Sequence, residues 1–150
     1  SPAVAAARGY VLDQGRIRQK PGTTNALGQM KLVMPNPQAI YLHDTPSKRH
    51  FALPVRAYSH GCIRTERALH FSGLMAVYFA GKSPEEFGAA IASGKTTKFS
   101  FDQPFPVYVA YFTAWPDKDG KVQFFDDVYD RDSYVQKAFA VTTKARAASI

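Results

Sequence analysis

MKLVMPNPQAIYLHDTP, residues 30–46, is the stretch whose reading decides the fold. Met30, Leu32 and Met34 alternate with Lys31 and Val33, and Ile40 and Leu42 alternate with Ala39, Tyr41 and His43. Alternation with period two marks a strand with one covered face, because successive side chains point to opposite sides of the pleat. Pro35-Asn36-Pro37 divides the two runs as a turn, since proline fixes its backbone angle and lacks a donor. The β pattern reaches back to about residue 16, with another break at Pro21-Gly22. Residues 1–9 read as the end of a helix with Gly9 as its C-cap.

Downstream, Asp44-Thr45-Pro46-Ser47 and Pro54 make 44–61 an irregular loop. Thr65-Glu66 opens a helix through about Phe79, closed by Gly81; it is apolar on most sides and so is expected to be buried. Ser83-Pro84-Glu85-Glu86 is a capping box with proline in the first helical position. That helix is expected to bury Phe87, Ala90 and Ile91 and to stop at Gly94. Residues 105–115 read as a long strand, Asp117-Lys118-Asp119-Gly120 as a hairpin turn, and 121–125 as the returning strand. Residues 141–150 read as a frayed tail. Strands, two helices, then strands predict a mainly β fold with flanking helices rather than a βαβ repeat. Eleven Phe and eight Tyr fit an aromatic-rich sheet core.

Composition narrows the function. At 150 residues the chain is about one domain. A single cysteine excludes an intramolecular disulfide and any zinc site with two or more thiolates. No run of about 18 apolar residues is present, so no membrane span is expected. The net charge of +7 favours an anionic partner, but it is scattered. The densest groups are residues 16–20 and 47–50, and neither a basic helix nor an RNA-binding aromatic motif accompanies them. A solvated positive surface is therefore preferred over a nucleic-acid site.

The chemistry-bearing residues are Tyr41-Leu42-His43-Asp44-Thr45-Pro46 and Arg56-Ala57-Tyr58-Ser59-His60-Gly61-Cys62-Ile63-Arg64, which hold the sole cysteine and two of the four histidines. A thiol becomes a strong nucleophile only as thiolate, and a nearby imidazole can take its proton. Gly61 permits unusual backbone angles, so the amides around Gly61 and Cys62 are candidates for an oxyanion hole. Tyr41 and His43 lie two apart and share one strand face. Both His43 and His60 are candidate bases; a strand position holds His43 more rigidly, so it is preferred. Against this stands a structural role for Cys62 as a small buried hydrophobe. Ser59, His60 and Gly61 are poor core neighbours and weaken that reading. A metal site from Cys62, His60 and His43 lacks a clear fourth ligand, so no metal is expected. Papain-like and caspase-like orders do not fit. A sortase-like site with Arg64 fits better but would not have His-Gly before the cysteine.

His43, fifteen intervening residues, and Ser59-His60-Gly61-Cys62 resemble the signature of the L,D-transpeptidase catalytic domain, the YkuD family. Arg18-Gln19-Lys20-Pro21-Gly22, Asn25-Ala26-Leu27-Gly28, Pro35-Asn36, residues 41–46, Arg64, residues 111–115 and 117–120 resemble its large periplasmic YcbB-like subgroup. The likeness extends over roughly residues 9–132. It implies a β-sandwich of that family, with upstream strands expected outside this sequence and the chain as the C-terminal part of a longer protein. It implies a periplasmic enzyme of the Gram-negative cell envelope that uses no cofactor. The Cys62 thiolate would attack the residue-3 carbonyl of a peptidoglycan tetrapeptide stem and release D-alanine. An amine acceptor would then form a 3-3 crosslink, or water would make the enzyme a carboxypeptidase. By the same resemblance His43 is the base, oriented by the carbonyl of Asp44 or another loop acceptor, with Asp44, His60 and Gly61 in the catalytic group. Tyr41, Ser59, Arg64 and Asn25 contact substrate, and carbapenems form a covalent adduct. Arg64 stands where most of the family has Asn; a guanidinium there suits a carboxylate or a structural ion pair. The alternative from another class is a non-catalytic wall-binding or assembly module of the same fold.

Overall fold

A computed structural model describes residues 2–147, with side chains from residue 3 to residue 141. The chain forms two compact units, Ser1–Val107 and Tyr108–Ile150.

The first unit opens with helix α1, Pro2–Ala7, ended by Gly9 in a left-handed conformation with its N–H on Ala6 O. Strands β1, Tyr10–Asp13, and β2, Arg16–Gln19, form an antiparallel hairpin. Gln14 and Gly15 both take positive φ in its two-residue turn, which matches the right-handed twist of the strands. The alternation had pointed to β structure only from residue 16, so β1 is an addition.

The second sheet builds the site. Strands β3, Lys31–Val33, β4, Tyr41–His43, and β5, Ile63–Arg64, lie in the order β3-β4-β5. β3 pairs antiparallel with β4, and β4 pairs parallel with β5. Asn36 shapes the β3–β4 connection: its Nδ2 donates to the carbonyls of Met34 and Ile40, both at 2.7 Å, and its Oδ1 accepts Ile40 N–H at 3.0 Å. The loop expected after β4 is present and contains a 3-10 turn over Lys48–Ala52.

Helix α2, Ala68–Ala80, begins a few residues later than Thr65-Glu66 and ends at left-handed Gly81 as expected. It is less buried than its composition suggested. Ala68, Ala76 and Ala80 are enclosed, whereas Leu74 and Tyr78 are exposed. Its apolar residues are not gathered onto one stripe, so one-sided packing leaves some of them facing water. Helix α3, Pro84–Ala92, carries the capping box: Ser83 Oγ accepts Glu86 N–H, and Glu86 accepts Ser83 N–H. Phe87, Ala90 and Ile91 are half-buried rather than enclosed. Phe87 rests against Gly73 of α2, where a Cβ would meet the ring at 3.4 Å.

The second unit contains the hairpin β6, Ala114–Pro116, and β7, Val122–Phe124, then helix α4, Asp132–Ala147. Asp117 organises the turn by accepting Asp119 N–H and Lys121 N–H. The long strand expected over 105–115 shrinks to its last residues. Pro106 removes a ladder donor, and 105–113 pair with no strand among the described residues. Residues 141–147, expected as a tail, continue α4, and 148–150 lie outside the described residues. The aromatics do not form a sheet core: Phe79 packs on Phe101 and Phe105 beside α2, while Tyr108 and Phe124 are exposed. The sheets and four helices agree with a mainly β domain of the expected kind.

Removing the Ser83 hydroxyl orphans an α3 amide. Ser83→Ala is expected to cost about 1 kcal/mol in urea unfolding.

Candidate active site

The register of the second sheet decides which side chains meet. Leu42 pairs with Ile63 and His43 with Arg64; continuing by one residue sets Cys62 beside Tyr41. Side chains of paired residues share a face, so Tyr41, His43, Cys62 and Arg64 point to one side and Leu42 and Ile63 to the other. Thr65 N–H closes the pairing on His43 O at 2.8 Å.

His43 is 5% exposed. Its Nδ1 hydrogen-bonds to Asp44 O. A carbonyl has no proton to give, so Nδ1 carries the hydrogen, and in the neutral ring Nε2 is the atom with the lone pair. This is the tautomer of a general base. Tyr41 stands edge-on to the imidazole, with ring centroids 5.7 Å apart. Burial holds the Tyr41 hydroxyl above the ordinary phenol range, and its hydrogen bond to the Cys62 side chain pushes in the same direction. The phenol therefore keeps its proton and serves as a donor beside sulfur.

The segment around half-buried Cys62 is a tight turn. Ser59 Oγ donates to Cys62 O and accepts Gly61 N–H at 3.2 Å. Gly61 has φ of +151°, a conformation that favours glycine. The Gly61 amide is thus engaged by the Ser59 hydroxyl. The Cys62 amide makes no hydrogen bond among the described residues. His60 is exposed in this turn, while His43 is enclosed.

Asp44 ties the site to the rest of the unit. Its N–H donates to Met30 O at 2.9 Å; one carboxylate oxygen accepts Gln29 N–H at 3.0 Å and the other the Lys48 ammonium. Burial alone would raise this carboxyl. Lys48 and the Gln29 and Thr45 amides outweigh it, and the net result lies below the ordinary aspartate value. Gly28, at φ +62°, packs so closely that a Cβ would overlap the Asp44 side chain.

The remaining residues divide. Arg64 is half-buried and meets no carboxylate among the described residues; Nη1 donates to His50 Nδ1 at 3.3 Å, and His50 stacks on Tyr58 with centroids 4.4 Å apart. The structural ion pair weighed for Arg64 is therefore absent there. Asn25, expected at substrate, uses its amide inside its own turn, donating to Gln19 O and Lys20 O at 3.3 and 2.9 Å and accepting Leu27 N–H at 2.8 Å. Sequence reasoning missed Lys48, Gly28 and His50. Lys48 follows Asp44 by four residues in a loop with no helical period, so only their contact identifies the pair.

A separate cavity of about 420 Å³ opens among Leu27, Met30, Leu32, Met75, Phe87 and Ile91; its lining includes none of Tyr41, His43 or Cys62. Among the described residues no helix is long and apolar enough to cross a membrane.

Comparison with known proteins bears directly on this geometry. The L,D-transpeptidase catalytic domain family, YkuD, matches residues 3–109. A Haemophilus influenzae protein named "Putative L,D-transpeptidase" is 36% identical over 123 residues, which cover 82% of this chain and 24% of that protein. The chain thus spans about a quarter of the length of this relative.

Two outcomes follow from the Asp44 anchor. A carboxyl lowered by folding contributes stability that is complete above its unfolded value, about 3.9, and is lost as pH falls through the folded value below it. Asp44→Asn is expected to cost roughly 1–3 kcal/mol at pH 7, because an amide presents N–H toward either Lys48 or Gln29. It should also flatten the acid limb of a stability–pH curve. Gly28→Ala adds left-handed strain to steric overlap and is expected to cost at least about 2 kcal/mol in urea unfolding.

Proposed function

The chain belongs to the YkuD family of L,D-transpeptidase catalytic domains, and from that premise we propose that it is a cysteine acyltransferase acting on peptidoglycan stem peptides. The observation that carries the reading is the Tyr41–His43–Cys62 cluster on one sheet face, with His43 Nδ1 on the Asp44 carbonyl.

In the proposed reaction, His43 Nε2 takes the Cys62 proton and the thiolate attacks the residue-3 carbonyl of a tetrapeptide stem. A carbon–sulfur bond forms, and the negative charge on the carbonyl oxygen meets the Cys62 N–H and the Tyr41 hydroxyl. His43 then returns its proton to the leaving nitrogen, the carbon–nitrogen bond breaks, and D-alanine departs. An amine from a second stem attacks the thioester to form a 3-3 crosslink and restores the thiol; water in its place gives a carboxypeptidase product. The Asp44 carbonyl orients the base, as the third member of a triad does. Ser59 and Gly61 shape the turn that presents Cys62. Asn25 shapes the loop leading to Gly28. Arg64 receives a substrate carboxylate. His60 is not the base in this reading. The YcbB-like likeness supports work in the periplasm.

Carbapenems should acylate Cys62 by opening their β-lactam ring, which adds the full reagent mass. Intact-mass spectrometry should find this adduct on wild type and none on Cys62→Ala. A folded wild type that forms no adduct would instead favour a wall-binding module without activity. His43→Ala should slow acylation at least about 100-fold, the lower range for a lost general base. His60→Ala should change it less than about threefold; equal losses would remove His43 as the base.

A further inference from the structure

The cross-strand register contains a row that the proposed reaction leaves unused. His43 of β4 is paired on one side with Lys31 of β3 and on the other with Arg64 of β5. Adjacent strands lie about 4.8 Å apart, so the two cationic residues flank the base across roughly 10 Å of one sheet face. Neither has a carboxylate partner among the described residues. Lys31 also leans over the Tyr41 ring, its Nζ 3.8 Å from the centroid, and the Tyr41 hydroxyl meets Cys62. The contact with the ring face holds the ammonium over Tyr41. A single cation on an edge strand would serve only to discourage strand addition. Two cations with no carboxylate partner among the described residues, bracketing a buried imidazole, form instead a receptor for negative charge.

The geometry points to Lys31 as a specificity-determining residue: with Arg64 it forms a two-sided clamp that selects acyl donors carrying a carboxylate on the β3 side of the scissile bond. This rests on Cys62 being the nucleophile. Arg64 grips its carboxylate through a planar fork, whereas Lys31 acts as a point charge that neutralises a second anionic group. A donor with a carboxamide in place of that group loses the interaction while leaving His43, Tyr41 and Cys62 untouched.

The test compares two thiol reagents of nearly equal size on the full chain. Iodoacetate is anionic and iodoacetamide neutral, so the ratio of their rate constants at Cys62 reads the local potential. Lys31→Gln is expected to lower the iodoacetate-to-iodoacetamide ratio about two- to threefold, the effect that a unit charge has at roughly 6–8 Å in water. The iodoacetamide rate should stay within about twofold, and Lys31→Arg should restore the ratio. The difference should fade in 1 M salt, where the screening length is about 3 Å. With tetrapeptide donors, Lys31→Gln should raise KM for the carboxylate form, leave kcat in place, and leave the carboxamide form unchanged. An unchanged reagent ratio, or equal KM changes for both donors, overturns the clamp. A folded wild type inert to both reagents would instead remove the nucleophile reading, and the clamp with it.

Discussion

Everything around the thiol depends on one buried aspartate whose three polar groups face three ways. The Asp44 carbonyl holds His43, its amide holds Met30 at the entry to β3, and its carboxylate holds Lys48 and the Gln29 amide. A charge is costly to bury unless it is paired and hydrogen-bonded. Here the carboxylate meets both conditions, and the loops that satisfy it acquire a fixed position. Gly28 belongs to the same constraint, because only a residue without Cβ lets that loop close onto the acid. The orientation of the imidazole and the anchoring of the surrounding chain are therefore one structural event.

From that anchor the sheet register does the rest. Pairing β4 with β3 and β5 sets an imidazole, a phenol, a thiol and two cations on one face without any of them being neighbours in sequence except through period two. The face opposite carries Leu42 and Ile63.

Much of this was legible beforehand. The alternation at 30–34 and 40–43 gave β3 and β4, glycine gave the ends of α1 and α2, and the Ser83 capping box gave the start of α3. These signals are local, and local physics enforces them. The thiol, the imidazole and the phenol were also identifiable, since each carries its chemistry in its residue type. What escaped was relational. Lys48 and Gly28 matter through contact with Asp44, which no periodicity announces. The hydrogen bond from the Gly61 amide to the Ser59 hydroxyl is another contact that residue type alone does not announce. Residues 105–113 have the side chains of a strand, but side chains alone do not supply a partner for the ladder.

The parallel pairing of β4 with β5 has a consequence in time. Parallel neighbours cannot be joined by a tight hairpin, so the whole of 44–62 must cross over before Cys62 reaches Tyr41 and His43. Because the entropy of closing that loop must be met before the pairing rewards it, parallel pairing of this kind forms more slowly than local structure such as the β1–β2 hairpin or a helix. Until it closes, the cysteine has no imidazole and no phenol beside it and behaves as an ordinary thiol. The imidazole and phenol therefore come to the sulfur only after the chain has acquired its fold.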